Sequence, residues 1–212
     1  MASPARHRLG LLATLVVAGL VVPRTAPGTI AEQRARLPPP AFCQDPVEGI
    51  WRSHDFHVLW QEWGIFTLEV RRVEGSATEL TGRITNRSWY ADAKTSEPPP
   101  CAGELDYLVT MNARGTYDES GRVQFRGIDW ELTRLFCGPR EGFGYNLDVF
   151  DGVIDPDLQE FQSVNNDGGR YVNVPTVFRR VECFDETPPT TLSVEVPALT
   201  PEPDGPGCLG RR

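Results

Sequence analysis

The chain has 212 residues, a formal net charge of −8 and a pI near 5.0. Nucleic-acid phosphates and anionic lipid heads are held by concentrated Lys and Arg, so this acidic balance excludes nucleic acid as an expected partner. Roughly 140 residues remain between unusual ends, enough for one domain around one core.

Arg6, His7 and Arg8 precede an apolar run from Leu9 to Val22, and no acidic residue comes before Glu32. This is the pattern of a secretory signal over residues 1–31, with a small-x-small cut site at Thr29-Ile30-Ala31. The run is shorter than the roughly twenty residues of a bilayer span, so no stable membrane span is expected; an uncleaved anchor is the alternative. The expected location is secreted, periplasmic or cell-envelope. Residues 32–42, with Pro38-Pro39-Pro40, read as a stiff linker. A folded domain is expected over 43–184. Prolines at 188, 189, 197, 201, 203 and 206 mark 185–212 as a flexible tail.

Cysteines stand at 43, 101, 137, 183 and 208. An exported chain meets an oxidising compartment, and no CxxC spacing points to zinc or redox chemistry. Cys43 and Cys183 flank the domain and Cys101 and Cys137 lie inside it, so the nested pairs Cys43–Cys183 and Cys101–Cys137 are expected, although other connectivities fit the sequence. Cys208 is then left for an intermolecular disulfide.

Within the domain, apolar residues alternate with polar ones in short segments between turn residues, the pattern of antiparallel strands. Strands are expected at Gly49–Trp51, Phe66–Val70, Leu80–Ile84, Val109–Met111, Val123–Phe125, Trp130–Phe136, Tyr145–Ile154, Phe161–Asn165 and Thr176–Cys183. No stretch holds a helical period. Gly82, Gly127 and Gly152 recur in similar strand contexts, which points to coiling, bulges or close backbone approach, and the apolar phase shift after Gly127 reads as a bulge.

Gly49-Ile-Trp51, Phe66-Thr-Leu68 with Leu80-Thr-Gly82-Arg-Ile84, and the closing Val177-Phe-Arg179-Arg-Val181 resemble the layout of lipocalin-like and avidin-like barrels over residues 47–184. The resemblance implies an all-β, antiparallel up-and-down barrel of about eight strands, with a β-sandwich as runner-up. It also implies that Trp51 packs across one barrel end beside Arg179, and that a small ligand sits in the mouth.

Residues 53–63 hold His54, His57, Trp60 and Trp63, an aromatic platform suited to stacking on sugars or other planar surfaces. The structural alternative is that Trp60 and Trp63 cap the core. His54 and His57 lack a defined third ligand, so no metal is expected, and no cofactor motif occurs. Asp148, Asp151, Asp155, Asp157 and Glu160 fit solvated strand edges, with calcium and a paired-carboxylate site as alternatives. Amide groups from Gln159 to Asn173 suit hydroxyl-bearing ligands, around an Asn166-Asp167-Gly168-Gly169 turn. Asn86-Arg87-Ser88 fits a glycosylation sequon. The leading expectation is an exported barrel binding a small or carbohydrate-like ligand through His54, His57, Trp60, Trp63, Trp89, Trp130 and Asn165. The alternatives are an envelope interaction module attached by its tail, and a carboxylate hydrolase; no catalytic residue is assigned.

Overall fold

In the computed structural model, residues 28–101 and 104–184 are described. The alternating segments form β1 (Gly49–Arg52), β2 (Asp55–His57), β3 (Glu62–Arg72), β4 (Glu79–Tyr90), β5 (Asp106–Tyr117), β6 (Arg122–Gly127), β7 (Glu131–Cys137), β8 (Val149–Asp155), β9 (Glu160–Asn165) and β10 (Val174–Glu182). Strands β1, β3, β4, β5, β6, β8, β9 and β10 pair antiparallel around a ring, which closes because β1 pairs both β10 and β3. This is the up-and-down barrel that the resemblance implies, rather than the β-sandwich, with eight strands in the wall. Closure leaves the ring without a free edge except along the first half of β10, because β1 meets β10 only from Arg179 onward. Both nested disulfides, Cys43–Cys183 and Cys101–Cys137, are present, while Cys208 lies outside the described residues.

Inward positions of successive strands fill the barrel's middle with Phe66, Leu68, Ile84, Met111, Phe125, Phe150 and Phe178. Their rings meet edge to face, Phe66 on Phe150 at 5.1 Å and Phe150 on Phe178 at 4.8 Å, a preferred aromatic geometry. Trp51 closes the end where β1 begins. Its indole N–H donates to the Val47 carbonyl, and the guanidinium of Arg180 lies 4.6 Å from its ring centroid. Arg180, rather than the expected Arg179, takes this place because β10 alternates: Arg179 faces outward and donates to Glu160 at 2.8 Å.

Two further departures from the sequence reading matter. Residues 32–42 are not simply a linker, since Ile30–Arg36 forms a helix, α1, capped by Thr29 and packed on β10. A seven-residue segment is too short to display a sustained helical period. After Gly127, the expected bulge is instead a break between strands: β5 pairs β6 through Ala113–Tyr117 and β7 through Asp106–Thr110.

Of the three recurrent strand glycines, Gly82 and Gly152 mark close backbone approach, whereas Gly127 sits against the side chains of Met111 and Leu147. Gly82 has φ of +155°, and a Cβ there would overlap the Glu69 carbonyl and press on Phe125. At Gly152 a Cβ would overlap the Gln162 carbonyl. Side chains at these two positions would force neighbouring strands apart where the barrel coils.

Candidate functional site

Above the aromatic core the inward phase of the strands continues but turns polar. On β3 the series Val70, Leu68, Phe66 reaches Gly64 and Glu62; on β4 the series Leu80, Gly82, Ile84 reaches Asn86, Ser88 and Tyr90. Register places Phe66 opposite Asn86 and Glu62 opposite Tyr90. Tyr107 arrives from β5, and the segment from Gly138 to Asp148 supplies wall where no strand runs. The result is a cavity of about 410 Å³ at the end opposite Trp51. Four of the five tyrosines line it: Tyr90, Tyr107, Tyr145 and Tyr171.

Two buried carboxylates anchor the hydrogen bonding in this cavity. Glu62 accepts from the Tyr107 hydroxyl at 3.0 Å and pairs with Arg170 at 3.4 Å. Desolvation raises its pKa, against the pull of these partners. Asp148 accepts from Tyr145 at 2.5 Å and from Asn165 at 2.7 Å. Burial pushes the Asp148 carboxyl up to about 7, its two hydrogen bonds act in the opposite sense, and the charges of Asp167 and Glu62 add to the rise. Asn86 donates to the Tyr145 hydroxyl at 2.7 Å and accepts from Ser88 at 3.1 Å. Asn86 is therefore committed to the barrel interior, which removes the sequon from the surface of the fold.

The expected platform residues separate. Trp63 and Trp89 occupy the outward phase and stack on each other at 6.1 Å between ring centroids, both 1% exposed. Their indoles donate to the carbonyls of Asp92 and Thr95, and Arg36 of α1 covers Trp63. His54 packs beside this pair and contacts the Ser96 carbonyl at 2.9 Å. These three residues stand away from the cavity. The other four touch its wall from behind or from the rim. His57 meets Tyr171, Trp60 lies under Arg170, Trp130 packs on Phe143 and Tyr145, and Asn165 holds Asp148.

The acidic series also disperses. Asp148 faces the cavity, whereas Asp151 pairs with Arg122, Asp155 caps the following turn, and Glu160 pairs with Arg34 and Arg179. Among the described residues, no group of three or more His, Cys, Asp or Glu side chains is arranged to hold a metal. The turn at 166–169 forms, and the chain following it carries Arg170 and Tyr171 to the cavity.

Glu62, Asn86, Tyr90, Tyr107 and Tyr145 are absent from the site that sequence reasoning assembles. Their signal is polar residues on the same two-residue phase as the apolar core. Together, fold and cavity define an up-and-down β-barrel of lipocalin-like architecture, filled at one end and polar at the other. No family model, curated protein or solved structure matches the chain.

Proposed function

We propose that the chain is an exported binding protein that takes a small, polar, carbohydrate-sized ligand into the cavity at the open barrel end. The observation that carries this reading is the cavity itself: about 410 Å³, lined by amide, phenol and carboxyl groups, above a core that is otherwise filled. Such groups give orientation through directional hydrogen bonds, and the tyrosine rings offer apolar faces. Export is supported by the two disulfides, which persist in oxidising compartments. Binding is favoured over carboxylate hydrolysis because both Asp148 oxygens are already engaged, by Tyr145 and Asn165.

Trp60 and Trp130 border the cavity wall and report on its filling. Titration with neutral, amino and acidic monosaccharides should give a saturable change in tryptophan emission for at least one class. Asn86→Leu should weaken that binding at least tenfold, because it removes an amide and leaves Tyr145 without its donor. An emission that stays flat for the whole panel, or an Asn86→Leu variant that binds as the parent does, would overturn the proposal.

A further inference from the structure

The cavity is unevenly charged. Glu62, Glu141, Asp148 and Asp167 line it, against one cation, Arg170. Glu62 is only 1% exposed, so water does little to screen its charge, and Asp148, equally buried, adds its own only as pH rises through about 7. An anionic ligand meets repulsion there, and a neutral one leaves the imbalance unchanged. A cation relieves it.

The structure also shows what a cation does in this place. Arg170 stands on the β9–β10 connection with its side chain 48% exposed, yet its guanidinium reaches Glu62 at 3.4 Å and donates to the Tyr90 hydroxyl. The same guanidinium lies 4.8 Å from the Trp60 ring centroid and 6.0 Å from that of Tyr90. A carboxylate with flanking aromatic faces is a general arrangement for holding organic cations. Here the chain's own side chain, on a connection outside the strands, occupies it from the rim.

We propose that the cavity selects a small organic cation, an amidinium, guanidinium or primary ammonium on a compact body, and that this ligand replaces the Arg170 guanidinium at Glu62. The inference rests on the cavity being the ligand site. The burial that disfavours charge on Glu62 and Asp148 is offset when a cation arrives, so binding strengthens as these carboxyls ionise. The charges around the two carboxyls enter this balance: Arg170 and the hydroxyls of Tyr107, Tyr171 and Tyr90 favour ionisation of Glu62, Asp167 and Glu62 oppose that of Asp148, and Glu141 adds a further acid to the lining.

The test uses three probes of one shape: benzamidine, a planar cation; benzamide, its neutral counterpart; and benzoate, an anion. Calorimetry on the full chain should show benzamidine binding at least tenfold more tightly than benzamide, with benzoate weaker still. Arg170→Ala removes the internal competitor at an exposed position and should tighten benzamidine at least tenfold. Glu62→Gln should weaken it by a similar factor. Circular dichroism checks the fold of both variants, and the charge series on the unaltered protein decides even if Glu62→Gln fails to fold. Equal binding of benzamide and benzamidine, or weaker benzamidine binding by Arg170→Ala, would overturn the cation inference while leaving the cavity reading intact. Absence of binding by all three probes and by methyl glycosides would overturn both.

Discussion

Replacing Gln33 by Ala should lower unfolding stability by about 2–4 kcal/mol. β1 pairs β10 only from Arg179 onward, so the upper half of β10 has no strand on one side. Gln33 fills that seam. Its Oε1 accepts from the Val177 N–H at 2.9 Å, and its Nε2 donates to the Pro175 carbonyl at 2.9 Å and to Asp55 of β2 at 3.0 Å. The side-chain amide thus does what a peptide group of a neighbouring strand would do. Truncation strands a buried N–H and a buried carbonyl, each costing about 1–3 kcal/mol, and vacates the space of a side chain that is 1% exposed. Arg34→Ala makes the contrast. Arg34 is 38% exposed, and its partner Glu160 keeps Arg179, so a loss below about 1 kcal/mol is expected. Urea unfolding of the two variants measures both. A Gln33→Ala loss no larger than that of Arg34→Ala would show that the barrel closes without α1.

The second large effect depends on pH. Asp148 holds its proton to about pH 7 in the fold, against an ordinary value of 3.8, chiefly because burial disfavours its charge. Its folded pKa is therefore above its unfolded one. The stabilisation is fully present below about pH 4 and is lost as pH rises through 7. Asn at this position stays neutral throughout and keeps an oxygen for the Asn165 amide. The stability of Asp148→Asn relative to the parent should thus rise by roughly 2 kcal/mol between pH 5 and pH 8. Asp55, also raised by burial, to about 6, tilts the parent in the same direction, and the difference between the two proteins cancels it. A difference that is flat across this range would place the Asp148 titration elsewhere.

The β period made the barrel legible, because a two-residue alternation fixes which side chains face inward once strands pair. The same alternation held the site in plain view. Glu62 continues the phase of Phe66 and Leu68, and Asn86 continues that of Leu80 and Ile84. Trp63 and Trp89 lie on the opposite phase, so their rings could only face out of the barrel. Residue type drew attention to the tryptophans and histidines, while position selected tyrosines and amides. The role of α1 was not legible, since it depends on where β1 stops relative to β10, a long-range register that local pattern does not encode. Nor did sequence order reveal that Gly138–Asp148 would become cavity wall, because that follows from the branching of β5 between β6 and β7.

The central claim is that the polar end of the barrel is where a ligand sits. Its most direct test is an NMR titration of the labelled protein with benzamidine and with the monosaccharide panel. Binding in the cavity predicts saturable shifts at the side-chain amides of Asn86 and Asn165 and along the backbone from Gly142 to Asn146, with the buried indoles of Trp63 and Trp89 unmoved. Shifts centred on Trp63 and Trp89, or none at any concentration, would contradict it.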